Sequence, residues 1–319
     1  MVAEDVVLGV DIGGTNTAMG IVGRSGTLIA ETSIPTEAQK PAAVFFDRFH
    51  TQVETLLAPF RHTHNLIGIG LGAPNANYYK GTIERPPNLS WEFVDVVGTL
   101  KQWYTIPIVL TNDANAAALG EMLFGAAKGM KDFIEITLGT GVGSGIVANG
   151  EMIYGHDGFA GEIGHTIVDH NGRTCGCGRR GCLETYTSAN GIRRTVDELV
   201  RTTATPSELR KIAFDDLTSK QIYEAARRGD ALALQAFEVT GKYLGMALAD
   251  SVAYTSPEAI ILFGGLALAG DFIFTPTKHY MEEYMMNIFK NKVRLLPSAL
   301  PQGKAAILGA AALIWNELL

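Results

Sequence analysis

The feature that most restricts the fold of this chain is a device that occurs twice. Residues 6–10 (VVLGV) and 17–22 (TAMGIV) are short apolar runs joined by the turn Asp11-Ile12-Gly13-Gly14-Thr15-Asn16, which is a β-hairpin pattern. Residues 132–138 (DFIEITL) and 144–148 (SGIVA) repeat the pattern around a second Gly-rich turn that begins at Gly139. Each copy opens a half-chain. The first half continues with a β-like run at 27–34 and a helical pattern over 41–60. That helix has Pro41 at its first turn and Phe45, Phe49, Val53, Leu56 and Phe60 on one face. Strand patterns follow at 66–71 and 107–111, then an Ala-rich helix over about 113–124. The second half has an irregular Gly-, Cys- and His-rich segment at 155–187 and a mostly helical stretch at 190–256. A buried strand at 259–263 runs into Gly264-Gly265, and a helix over about 304–317 ends the chain. Two half-chains built this way predict an α/β protein of two similar domains. No Pro- or Ser-rich linker occurs, so the boundary is expected inside the helix at 113–124.

Composition narrows the partners. The formal net charge is −7 and the pI about 5.5. A nucleic-acid or membrane-surface binder needs a basic face, so neither partner is expected. Anionic ligands stay open, because backbone N–H groups bind phosphate without net positive charge. The longest uncharged apolar stretches, 259–270 and 305–316, are shorter than the ~20 residues that span a bilayer. The acidic start Met1-Val2-Ala3-Glu4-Asp5 lacks the basic region of a signal peptide. With only three cysteines there is no disulfide framework, and a reducing, cytoplasmic setting is expected. The 36 glycines exceed the roughly 22 of average usage by about fourteen, and many of them cluster in motifs.

Five clusters carry candidate chemistry. In the first hairpin turn, Gly13 and Gly14 let the backbone approach a ligand closely and form an anion-binding concavity with Thr15 and Asn16. Asp11 beside them suits Mg²⁺, held through water. The second turn, Gly139-Thr140-Gly141-Val142-Gly143-Ser144-Gly145, leads into a strand. It therefore fits neither a Walker A loop nor a Rossmann fingerprint, and a second phosphate nest is the better reading. Cys175-Gly176-Cys177-Gly178-Arg179-Arg180-Gly181-Cys182 holds every cysteine of the chain at C-x-C-x₄-C spacing. Three thiolates and an imidazole make a closed, structural Zn²⁺ site; His165 and His170 are both within reach as fourth ligand. Thr111-Asn112-Asp113-Ala114-Asn115 lies where a strand ends and a helix begins. Asn112 or Asp113 suits a helix N-cap, and the helix terminus is expected to keep Asp113 ionised. Gly161-Glu162-Ile163-Gly164-His165, with Glu184 just after the last cysteine, suits a sugar-hydroxyl pocket.

Together these residues resemble the ROK family of sugar kinases, within the actin/hexokinase/Hsp70-like fold. The matching pieces are Asp11-Ile-Gly-Gly-Thr15, Asn112-Asp113-Ala-Asn115, the loop 138–145, Gly161-Glu-Ile-Gly-His165 and Cys175-Gly-Cys-Gly-x-x-Gly-Cys-Leu-Glu184. They span about residues 6–315, and Pro87-Asn88-Leu89-Ser90-Trp91 adds a likeness to the bacterial glucokinases. The resemblance implies a duplicated, ribonuclease H-like, actin-type ATPase fold. The small domain would be 1–118 plus 305–319 and the larger, zinc-bearing one 119–304, with the active site in the cleft between them. It implies ATP-dependent phosphorylation of a hexose at its 6-hydroxyl, glucose first, with fructose, mannose, N-acetylglucosamine and N-acetylmannosamine as alternatives. Asp113 would be the catalytic base, and Gly72, Ala73, Asn88, Asn112, Asp113, Glu162, His165 and Glu184 would bind the sugar. Asp11, Gly13, Gly14, Thr15, Asn16, Thr140, Gly141, Gly264 and Gly265 would meet Mg²⁺ and ATP. His165, Cys175, Cys177 and Cys182 would hold zinc. A homodimer is a further implication. Polyphosphate is the alternative donor, and a sugar-responsive repressor the alternative class; a repressor needs an N-terminal DNA-binding helix pair, for which no room is expected before the strand at Val6. One departure stands out: many members read G-x-P-G where this chain has Gly72-Ala73-Pro74-Asn75.

Overall fold

A computed structural model describes residues 3–87, 89–301 and 303–318. Its first five-stranded sheet contains β1 (Glu4–Ile12), β2 (Asn16–Gly23), β3 (Leu28–Pro35), β4 (His64–Gly72) and, after the short strands below, β8 (Ile108–Thr111). The order is β3-β2-β1-β4-β8; the hairpins are antiparallel and β4 and β8 run parallel to β1. The second sheet contains β9 (Phe133–Leu138), β10 (Val142–Ala148), β11 (Glu151–Met152), β12 (Ala259–Phe263) and β13 (Arg294–Pro297). Its order, β11-β10-β9-β12-β13, repeats the first in both sequence and strand direction. The repeated hairpins seen in the sequence thus open two copies of one sheet. A small third sheet joins β5 (Ala76–Asn77), β6 (Thr82–Glu84) and β7 (Phe93–Asp95).

The helices are α1 (Ala42–Leu57), α2 (Val96–Leu100), α3 (Asp113–Phe124), α4 (Glu184–Thr187), α5 (Ala189–Thr202), α6 (Ser219–Arg227), α7 (Ala231–Thr255), α8 (Asp271–Tyr284) and α9 (Ala305–Glu317). Pro41 is the N-cap of α1 rather than its first residue, and Phe45, Phe46, Phe49 and Val53 fill the core under the first sheet. Helices α4–α8 cover the second sheet around Ile134, Ile136, Leu138 and Phe237. Among the described residues, no helix is long and apolar enough to cross a membrane.

Two helices rich in small residues lie between the sheets. A Cβ on Gly9 or Gly70 would come within 2.1 or 1.9 Å of a carbonyl of α9, so these glycines seat α9 on β1 and β4. Gly309 and Gly120 let α9 and α3 meet, and a Cβ on Gly309 would lie 2.6 Å from the Ala116 carbonyl. Gly143 and Gly145 do the same for α3 on β10, where added Cβ atoms would meet Ala114 and Ala118 at 2.8 and 2.6 Å. These two glycines lie inside strand β10. Close packing of α3, and not the phosphate nest expected for the whole 139–145 run, accounts for them.

Candidate active site

Strand register builds the centre of the site. Asp11 at the end of β1 pairs with Gly72 of β4, which pairs with Thr111 of β8. The three stand in a row at the carboxyl edge of the first sheet, where open α/β sheets place their ligands. Ala73 extends the row, its N–H donating to the Thr111 carbonyl at 3.0 Å. Helix α3 starts directly behind. Asn112 is its N-cap: Oδ1 accepts from the N–H groups of Ala114 and Asn115 at 2.8 and 3.2 Å. Asp113 follows, its Cα 3.6 Å from where a Gly72 Cβ would sit, which puts the start of α3 in van der Waals contact with the end of β4.

Asp113 keeps contact with solvent at the floor of the cleft, yet protein closes around it. Loss of solvation pushes its carboxyl above the usual range, against the opposing N–H of Ala114 at 2.9 Å. Burial thus outweighs the backbone N–H groups at the helix terminus in setting the direction of the shift. Asp11 is raised as well, to about 6, by burial and by the charge of Asp113. Burial also raises Glu162, with Asp113 and Glu184 adding to it and His165 opposing. Asp11, Asp113, Glu162, Glu184 and His165 thus feel one another across the cleft. A cluster of carboxylates with depleted solvation suits hydroxyl protons and a divalent cation.

The first glycine turn is held open by Thr36, whose hydroxyl donates to the Gly13 carbonyl at 2.7 Å while its N–H donates to the Thr15 carbonyl at 2.8 Å. Gly14, Thr15 and Asn16 are exposed. The second turn is tied to α5: the Ala189 N–H donates to Gly139 at 2.8 Å, and Asn190 Nδ2 to the Thr140 carbonyl at 3.2 Å. Gly141 passes so close to Glu184 that a Cβ would lie 2.7 Å from Oε2. At the end of β12, Gly264 adopts φ +95°, and a Cβ there would meet the Leu138 carbonyl oxygen at 2.6 Å. Gly264 and Gly265 line a cavity of about 340 Å³ with Leu268, Ser298, Leu300 and Gly303.

His165 is the fourth member of the thiol cluster; His170 stands outside it. The ligand atoms of His165, Cys175, Cys177 and Cys182 lie within 4.8 Å of one another. Nδ1 of His165 faces the Cys175 sulfur at 3.7 Å, and Nε2 faces Glu162 at 3.9 Å. The Cys175 thiol donates to Glu184 Oε1 at 3.1 Å, and the Cys177 and Cys182 sulfurs are 3.6 Å apart. Hydrogen bonds from Arg179 help bring the Cys177 thiol down to about 6 despite its burial cost. Three adjacent thiols and an imidazole fit a tetrahedral soft-metal site.

Asn75, the departure noted in the sequence, and several residues with no local sequence signal, Arg85, Glu92, Phe93, Phe159, Glu121 and Glu135, complete the surroundings of the site. Asn75 adopts φ +52°, a left-handed turn that favours glycine and that Asn tolerates. Its Nδ2 donates to the carbonyls of Glu84 and Arg85 at 3.2 and 3.0 Å, a tie that glycine cannot make. Arg85, Glu92 and Phe93 from one lobe face Phe159, Glu162, His165 and Arg179 from the other across a cavity of about 780 Å³. Glu135 and Glu121 are fully buried between β9 and α3. Burial pushes the Glu135 carboxyl well above its usual range, and its Oε2 has no hydrogen-bond partner among the described residues. Asn88, expected at the sugar, lies outside the described residues.

The ROK family model matches residues 7–317. The chain belongs to the ROK family. It is 39% identical to a glucokinase of Halalkalibacterium halodurans over 287 residues, covering 88% of this chain and 86% of that one. It is 27% identical to a xylose repressor of Bacillus subtilis, over 98% of this chain and 77% of the repressor. Among solved structures it is similar to a ROK family glucokinase from Streptomyces griseus in complex with glucose and AMPPNP. The TM-score is 0.79 at 32% identity, over 97% and 98% of the two chains. The family has the actin-like ATPase fold, and the two repeated sheets show it in this chain.

Proposed function

We propose that this ROK family chain is a glucokinase, transferring the γ-phosphoryl group of ATP to the 6-hydroxyl of glucose. The observation that carries the reading is the position of Asp113. Its carboxyl, raised by burial, opens α3 at the carboxyl edge of the first sheet, and its charge reaches both Asp11 and Glu162. The glucokinase relatives, at 33–39% identity over most of the chain, point the same way.

Glucose would enter the cleft with its 6-hydroxyl toward Asp113. Asn112, Glu162, His165, Glu184, Asn88 and the backbone of Gly72 and Ala73 would take its hydroxyls. Asp113 orients the 6-hydroxyl and accepts its proton as the new O–P bond forms and the bond to ADP breaks. A raised pKa serves that step, because a more basic carboxylate takes a proton more readily. The N–H groups of Gly13, Gly14, Thr15 and Asn16 on one side, and of Thr140 and Gly141 on the other, would face the phosphates. Adenosine would lie in the cavity at Gly264 and Gly265. Magnesium bound with ATP would neutralise phosphate charge, and Asp11 would hold it. Zinc on Cys175, Cys177, Cys182 and His165 would fix the sugar loop and turn the free imidazole nitrogen toward Glu162. The mobile units would be 1–118 with 305–319 and 119–304; their closure would exclude water from the phosphoryl group. A cytoplasmic homodimer is part of the proposal.

The test is an ADP-release assay across glucose, fructose, mannose, N-acetylglucosamine and N-acetylmannosamine. The highest kcat/KM is expected for glucose. A clear preference for another hexose refutes the substrate, and no ATP-dependent turnover of any of them refutes the activity.

A further inference from the structure

Both lobes must present sugar-facing groups in register, and one contact between them stands out. Asn77 has no exposed surface. Its Oδ1 accepts from the N–H groups of Tyr79 and Lys80, each at 3.1 Å, which closes a local turn. Its Nδ2 reaches across to the other lobe and donates to the Asp157 carbonyl at 2.7 Å. Next to it the Tyr78 ring lies flat on the Tyr154 ring, with centroids 3.8 Å apart and planes 6° from parallel. Tyr79 packs edge-on against the same ring at 6.2 Å. The Tyr78 hydroxyl is held in turn by Glu317 at the end of α9. Burial keeps both phenols neutral.

The far side of this contact is the stem of the sugar loop. Glu162 follows Asp157 by five residues, and His165 by eight. From its own lobe the loop is held by Ser144, whose hydroxyl donates to the Gly161 carbonyl and accepts from the Ile163 N–H at 3.2 Å. Gly158, at φ +88°, brings the stem so near that a Cβ would lie 2.8 Å from Asn77 Oδ1. On the near side Asn77 follows Gly72 by five residues, in the segment that borders Asp113.

We infer that Asn77 and the Tyr78–Tyr154 stack are positioning residues that set Glu162 and His165 against Asp113. The inference rests on the hexose-kinase reading of the site. It makes acceptor affinity, and not nucleotide affinity, depend on this contact. Its hydrogen bonds and ring contacts among the described residues involve none of Gly13, Gly14 and Gly264.

Two variants separate the roles. Asn77→Asp keeps the acceptor for Tyr79 and Lys80 but removes the N–H that reaches Asp157. Tyr154→Phe keeps the stacked ring, and Tyr154→Ala removes it. KM for glucose is expected to rise about tenfold in Asn77→Asp and Tyr154→Ala, the worth of about one buried hydrogen bond. KM for ATP should stay within about twofold, and Tyr154→Phe should behave as wild type. An unchanged glucose KM in Asn77→Asp, or an equal rise in both KM values, overturns the inference. Wild-type turnover of glucose is measured alongside. If it is absent the function has failed and not the contact, and the same ratio is read with whichever hexose the wild type phosphorylates.

Discussion

Replacing Asp11 with Asn should stabilise the protein while impairing it as a kinase. Burial and the neighbouring Asp113 push the Asp11 carboxyl from 3.8 to about 6. The unfolded chain therefore releases this proton near pH 4 and the folded chain near pH 6. Between the two the unfolded state holds fewer protons, so stability falls as pH rises, and above about pH 6 the whole penalty is present. Two pKa units correspond to about 3 kcal/mol, and screening at a partly exposed carboxylate leaves about 1–2 kcal/mol. Denaturant unfolding of nucleotide-free, magnesium-free protein measures it. Asp11→Asn should exceed wild type by about 1–2 kcal/mol at about pH 7, with a smaller gain at about pH 5. Magnesium with ATP should stabilise wild type much more than the variant. A variant no more stable than wild type at neutral pH, or an increment that does not change with pH, refutes the reasoning.

Other perturbations test other parts of the site. Gly264→Ala forces an L side chain into φ +95°, with Cβ 2.6 Å from a backbone oxygen that cannot swing aside. It should cost about 1–3 kcal/mol in thermal unfolding and raise KM for ATP; a silent substitution would remove Gly264 from the nucleotide site. Cys177→Ser should lower metal content from about one zinc per chain and weaken glucose binding in calorimetry by about tenfold or more. Metal-free protein with undiminished glucose affinity would break the link through His165.

Local features were the most legible in the sequence. The paired hairpins show because alternation and turn chemistry act over a few residues, and they report both sheets. The cysteine motif shows for the same reason. Its fourth ligand does not, because His165 and His170 differ only in how the chain folds between 165 and 175. Helix α8 escaped notice; Pro276 interrupts its pattern, yet the helix persists with that ring packed on Gly241 of α7. Strands β5, β6 and β7 have two or three residues each and exist through tertiary pairing. Gly143 and Gly145 looked like part of a phosphate loop, although they seat Ala114 and Ala118. Composition cannot distinguish a glycine needed by a ligand from one needed by a helix. Glu135 was hidden inside an apolar run, and the side of β9 it occupies is set by the packing of α3. The row Asp11–Gly72–Thr111 follows from strand register, which joins residues about 100 positions apart in the chain.

The most direct test of the central claim is the turnover of Asp113→Asn on glucose, read beside its glucose affinity in calorimetry. The substitution keeps the shape of the side chain and removes the proton acceptor. Expected is a fall in kcat of about 10²–10⁴-fold with glucose affinity within a few-fold of wild type. A variant that phosphorylates glucose at near the wild-type kcat would contradict the account.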